Sequence, residues 1–109
     1  MNEQLRQLTD MDRLIHEPAR LLIVAILSAV ESADFLYLLR ETALTRGNLS
    51  AHLTRLEQGG YVEISKSFRG KIPQTLCRLT PSGRAAFSAY QQQLTQMLGQ
   101  LPRAYLAAE

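Results

Sequence analysis

Apolar positions along this chain keep a helical spacing up to about residue 58 and a different one after it. The run LLIVAILSAV from Leu21 follows Pro18, whose fixed φ suits a first helical turn, so a helix is predicted to open there. It is apolar on nearly every side and is expected at the centre of the fold. Ser32 is a candidate N-cap for a second helix, ADFLYLLRET, with Phe35, Leu38 and Leu39 as its apolar stripe. Ala43 and Leu44 then lead to Thr45, another N-cap residue, and to a third helix, RGNLSAHLTRLEQ, that stops at Gly59-Gly60. Ahead of all three, Leu5, Leu8 and Met11 recur every third residue and predict a short amphipathic helix.

After the glycines the period becomes two. Tyr61–Ser65 reads as a strand with Val62 and Ile64 on one face. Phe68–Lys71 supplies a loop, and Pro73, which cannot donate to a ladder, is expected to delay the return strand to Thr75–Leu79. Thr80 and Pro81 repeat the cap-then-proline start for a final helix. This order predicts a mainly α fold with a small β-hairpin, a winged helix-turn-helix flanked by N- and C-terminal dimerisation helices. The expected organisation is a helical extension over 1–11, the winged domain over 12–85, and a dimerisation helix and tail over 86–109.

On a helical wheel Leu49, Leu53 and Leu56 fall in one narrow arc of the third helix and must face the core. The opposite face is small and polar, with Gly47, Asn48, Ala51, Thr54 and Arg55, and Ser50 on its flank. Such a face can approach the major groove of DNA closely and offer amide and guanidinium groups to base edges. Thr45 and Arg46, at the start of the helix, complete the set. His52 lies between the two faces, better placed for packing or a hydrogen bond than for reading a base.

Charge sharpens this picture. The net charge is only +2, but residues 45–84 hold seven basic and two acidic side chains, a local +5, against −3 for the remainder. The hairpin contributes Lys66, Arg69 and Lys71, placed to follow phosphates or the minor groove. A basic segment of this kind suits a polyanion.

Other features exclude classes of function. The chain has 109 residues, 46% of them hydrophobic and 20% charged, as in one ordinary globular domain. The stretch Leu21–Val30 is half the length of a membrane span, which needs about 20 residues. The first residues lack the basic start and apolar run of a secretory signal, and a single cysteine, Cys77, cannot form an internal disulfide. A cytoplasmic, non-membrane protein is expected. No phosphate-binding glycine loop or supported nucleophile–base set is present, so neither an enzyme nor a cofactor is expected. His16, His52 and Cys77 lack the spacing of metal ligands, so no metal site is expected. His16 and Arg20, four apart, are expected to form a structural polar pair near Asp12.

Ile15–Arg20, Asp34-Phe35, LTRGNLSAHLTRLEQGGYVEISKSFRGKIPQT and RLTPSGRAAF together resemble the compact winged-helix regulators related to the MarR and ArsR families. The resemblance spans about residues 12–90 and is most specific from GNLS through the K-x-FRG-K wing. It implies a dimeric bacterial transcription factor with Asn48, Ser50, His52 and Arg55 on the recognition helix and Arg69 and Lys71 on the wing. ArsR-type relatives often carry cysteine or histidine metal sites, a pattern not matched here.

In the last helix Phe87, Tyr90, Leu94, Met97 and Leu101 alternate spacings of three and four, a stripe able to pack on a like helix. Tyr90, Leu94, Met97, Leu98 and Leu101, joined by Leu5 and Leu8, are the expected dimer surface, with Gly99 and Pro102 ending the helix. A two-fold dimer spaces its recognition helices by about 34 Å, one turn of double-stranded DNA, and calls for a pseudo-palindromic site. The alternative is a winged helix serving as a protein-interaction or RNA-binding module. Exposed apolar residues in place of cations would favour that alternative. The residues identify no small-molecule effector.

Overall fold

The computed structural model describes residues 3–101, apart from the side chains of Gln4 and Leu5. A short helix α1 (Glu3–Arg6) runs into a 3₁₀ turn (Gln7–Asp10). The helices α2 (Pro18–Ser28), α3 (Phe35–Thr42), α4 (Arg46–Gln58) and α5 (Pro81–Gly99) enclose a small antiparallel sheet. Its strands are β1 (Ala33–Asp34), β2 (Val62–Arg69) and β3 (Ile72–Leu79), in the order β1-β3-β2.

The four longer helices, α2 to α5, each start on a side-chain oxygen acceptor. The Glu17 carboxylate accepts from the N–H groups of Ala19 and Arg20, each at 2.9 Å, with Pro18 next in line. Thr45 Oγ1 accepts from Asn48 N at 3.1 Å and Thr80 Oγ1 from Gly83 N at 3.0 Å. The second helix departs from expectation, because Asp34, not Ser32, caps it by accepting from Tyr37 N at 2.7 Å. Ala33 and Asp34 instead extend beside β3, pairing with Cys77 and Leu76. Two residues are too few to show a period, so this third strand left no sequence signature.

Gly60 ends α4 with φ +82 while Tyr61 N reaches Leu56 O (2.9 Å) and Gly60 N reaches Glu57 O (3.0 Å). That pairing is a Schellman motif, which a left-handed glycine permits. The hairpin is longer than expected. β2 and β3 pair from Val62↔Leu79 to Arg69↔Ile72, and only Gly70-Lys71 forms the loop, with Gly70 at φ +65. Pro73 therefore lies within the return strand instead of delaying it. Next to a two-residue loop, Arg69 and Ile72 form the hydrogen-bonded pair and Phe68↔Pro73 the non-bonded one, so the ladder needs no N–H from Pro73. Its other edge lies beyond the reach of β1.

Ile23, Val24 and Leu27 of α2 are fully buried with Leu38, Leu49, Leu56 and Cys77 in one core. Leu22, expected inside, is exposed. The core covers one side of α2, not its whole circumference. On the far side α5 lies so close to the α4–β2 turn that a methyl on Gly83 would overlap the Tyr61 carbonyl. The helix α5 runs without interruption across residues 85 and 86. Pro102 lies outside the described residues.

Two stability predictions follow from the caps and the turn. Ala43, between α3 and α4, holds φ +56, a left-handed backbone that costs alanine roughly 1–2 kcal/mol. Glycine removes that strain but gains roughly 0.4–1 kcal/mol of unfolded freedom. Ala43→Gly is thus expected to stabilise by about 0.5–1 kcal/mol in urea unfolding, and a destabilised variant would refute the strain. For Glu17, partial burial acts to raise the carboxyl, but the two N–H bonds and the neighbouring His52 and Arg20 hold it below the usual 4.5. Its contribution is present above 4.5 and lost as pH falls through the lowered folded value. Glu17→Gln should be less stable than the native protein by about 0.5–1 kcal/mol at neutral pH, a gap that closes in strong acid. A gap independent of pH would show that the charge contributes nothing.

Candidate nucleic-acid interface

The inward leucines of α4 decide what the helix shows to solvent. Leu49, Leu53 and Leu56 are buried, and Arg46, Gly47, Asn48, Ser50, Ala51, Thr54 and Arg55 are all exposed on the other side. Thr45 is exposed as well; its oxygen caps the helix, which leaves its own proton to donate outward. A side chain at Gly47 would meet nothing within 4 Å, so the glycine leaves the first turn bare without any need of the fold's own packing.

The structure separates the cations of residues 45–84 into two groups. Arg78 pairs with Glu63 at 2.8 Å across the outer face of the hairpin. Arg84 donates to Ser28 O (3.2 Å) and Val30 O (2.9 Å) and closes the C-terminal end of α2. Arg46, Arg55, Lys66, Arg69 and Lys71 remain exposed, with Lys66 Nζ donating to a neighbouring hydroxyl, Thr75 Oγ1, at 3.0 Å. These five lie on α4 and the hairpin.

Helix and hairpin border the same clefts. One, of about 630 Å³, is lined by Phe35 and Leu36 of α3, Arg46 of α4, and Lys66, Phe68 and Arg69 of β2. A second, of about 360 Å³, is lined by Ser50 and Thr54 of α4 together with Lys66 and Thr75 of the hairpin. Side chains distant in sequence thus line neighbouring concave surfaces, in which Arg46, Lys66 and Arg69 stand among apolar side chains and one acid, Asp34.

Behind this surface is a polar support that the sequence reading did not find. Arg20, 8% exposed, donates from Nε to Leu14 O at 2.7 Å and from Nη2 to Arg13 O at 3.3 Å. Its Nη1 lies 3.2 Å from His52 Nδ1 and 3.6 Å from the Glu17 carboxylate. The same His52 Nδ1 lies 3.6 Å from Glu17 Oε2, so the imidazole sits between the guanidinium and the carboxylate. His52 therefore ties α4 to the start of α2, in keeping with a hydrogen-bonding role. The expected His16–Arg20 pair does not form. His16 Nδ1 instead lies 2.8 Å from the Tyr90 hydroxyl, while Asp12 caps Leu14 and Ile15 and accepts from the Tyr61 hydroxyl. That bond, with some burial, pushes the Tyr61 phenol up to about 12. Burial, aided by Glu57 and Asp34, pushes the Cys77 thiol up to about 11, which leaves it an inert core residue.

The expected dimer residues do not form one open face. Tyr90 and Met97 are 4% and 2% exposed, buried within the protomer where α5 meets the 3₁₀ turn and Met11. Their burial within the protomer takes these two residues out of the open part of the stripe. Leu8, Leu94 and Leu101 are half-buried, and Leu98 is exposed. The Leu5 side chain lies outside the described residues. Among the described residues no group of three His, Cys, Asp or Glu is placed to hold a metal, and no helix is long and apolar enough to cross a membrane.

Comparison with known proteins places this geometry. A family model described as a winged helix DNA-binding domain matches residues 19–98. An uncharacterized protein of Methanocaldococcus jannaschii is 36% identical over 86 residues, covering 78% of this chain and 92% of that protein. The solved structure of a transcriptional regulator homologue from Pyrococcus horikoshii OT3 superimposes with a TM-score of 0.82 at 26% identity, over 90% of this chain and 96% of the other. Diamide-treated YodB from B. subtilis (TM-score 0.73, 17% identity, 94% and 97% covered) shares the fold. So does the PcaV transcriptional regulator from Streptomyces coelicolor with its natural ligand (TM-score 0.69, 19% identity, 95% and 75% covered). With four capped helices, a two-residue hairpin loop and a helix displayed beside that hairpin, the chain belongs to the winged-helix DNA-binding domain family.

Proposed function

We propose that this protein is a sequence-specific transcriptional regulator that binds double-stranded DNA as a homodimer, with α4 in the major groove and the hairpin wing on adjacent phosphates or the minor groove. The observation that carries this reading is the shared cleft: Arg46 of α4 and Lys66 and Arg69 of the wing line one concavity. Asn48, Ser50, Ala51, Thr54 and Arg55 stand ready for base edges, Arg55 as the bidentate reader of guanine and Asn48 of adenine. Thr45, Arg46 and Lys71 are assigned to phosphates, with Lys66 and Arg69 beside them. For the dimer, the side of α5 left open by the N-terminal segment carries Leu98, flanked by Leu94 and Leu101. Leu5 and Leu8 are assigned to the same surface. A two-fold pair of such chains would read a pseudo-palindromic site.

One observation favours the second reading, a protein-interaction module: Phe68, Ile72 and Leu36 are exposed around the cleft. Five exposed cations on α4 and the wing favour a polyanion instead.

Charge reversal tests the DNA face. Arg55→Glu and Arg69→Glu lie on exposed positions and should keep the fold while abolishing gel shifts of duplex fragments. If five phosphates are neutralised per protomer, log affinity of the native protein should fall against log salt with a slope near −4 to −5, steeper for the dimer. Undiminished binding by both variants would remove α4 and the wing as the DNA surface. The dimer is tested by Leu94→Glu and Leu98→Glu. Light scattering should report a monomer and operator affinity should drop, whereas an unchanged dimer would place the interface elsewhere.

A further inference from the structure

The wing carries two residues that phosphate binding does not explain. β1 ends opposite Leu76, so four further rungs, Lys66↔Thr75 to Arg69↔Ile72, project as a free two-stranded ribbon. At about 3.4 Å per residue they extend about 14 Å past the three-stranded sheet. Phe68 and Ile72 near its end are 69% and 68% exposed, more than any other large apolar side chain among the described residues. Phe68 and Ile72 are on opposite faces of the ribbon, because Phe68 shares the parity of Ile64 and Lys66 while Ile72 shares that of Arg69 across the strand pair. Lys66, Arg69 and Lys71 surround them, and no acid occurs between Ile64 and Leu79.

A tip apolar on both faces and cationic at its edges suits a slot with anionic rims and apolar walls. The minor groove of DNA is such a slot, with phosphates at its lips and sugars and stacked bases inside. In B-form DNA it is about 6 Å wide, too narrow for a two-stranded ribbon bearing side chains on both faces. Insertion must open the groove, and apolar side chains between base steps do this by partly unstacking them. With α4 in the adjacent major groove, the ribbon projecting beside it is directed at the flanking phosphates and the minor groove next to them.

On the DNA-binding reading above, we propose that Phe68 and Ile72 form an apolar wedge that enters the minor groove, unstacks a base step and kinks the duplex, held by Arg69 and Lys71 on the flanking phosphates. A pyrimidine–purine step, the easiest to unstack, is the expected wedge position.

The test uses a duplex selected by the native protein from a random-sequence pool, labelled at both ends for energy transfer. The native complex should be bent by about 20° or more. Phe68→Ala/Ile72→Ala, checked for intact fold by circular dichroism, should lose the bend and about 10- to 100-fold in affinity, as expected for one or two lost apolar burials. Its salt slope should not change, because no phosphate contact is lost. Arg69→Ala should instead flatten the slope by about one. A straight native complex, or a double variant that bends and binds as the native protein does, overturns the wedge alone. Failure of the native protein to select any duplex overturns the DNA reading with it. Vesicles of anionic phospholipid serve as the counter-probe: binding there that depends on Phe68 and Ile72, with DNA binding indifferent to them, would assign the tip to a membrane surface and overturn the wedge.

Discussion

Burial of Leu49, Leu53 and Leu56 fixes the orientation of α4, and the rest of the interface depends on it. Each leucine removed from water contributes roughly 1.5–3 kcal/mol, so the three together set the helix's rotation far more firmly than any surface contact could. Once that face is down, the small polar face is up. Arg20 reinforces the arrangement from beneath, since its guanidinium joins the carbonyls before α2 to His52 on the flank of α4. A buried cation is tolerated there because its donors find carbonyl, imidazole and carboxylate partners.

The same economy governs the charges. Seven basic residues in one segment suggest a diffuse positive surface, but the fold uses Arg78 to pair with Glu63 and Arg84 to close α2. What remains is a smaller, directed set on the helix and wing. The electrostatic footprint is thus defined by which cations find no carboxylate or carbonyl partner among the described residues, not by how many the segment contains.

Elements with a repeating pattern were legible in the sequence. The helices showed their apolar stripes and, for three of them, their Thr and Pro starts, and the hairpin showed its change of period. Features without a repeat were not legible. β1 is two residues long and exists only because β3 offers it an edge. Pro73 reads locally as a strand breaker, but its missing N–H falls at a position where the ladder does not require one. The stripe on α5 suggests a partner helix, yet its Tyr90 and Met97 are buried within the protomer, Tyr90 with its hydroxyl on His16. Periodicity shows that a face will be buried; it does not say by what.

What the sequence determined by itself, then, was the order of the main helices and the hairpin, the inward leucines of α4 and the polar set opposite them, because these follow from local spacing and capping chemistry. Only the tertiary structure decided which cations stay free, that His52 is held by Arg20, and that helix and wing share a cleft. It alone also set Phe68 and Ile72 at the end of an unsupported ribbon. Those outcomes depend on contacts between residues tens of positions apart, where partner and distance are set by the packing of whole elements.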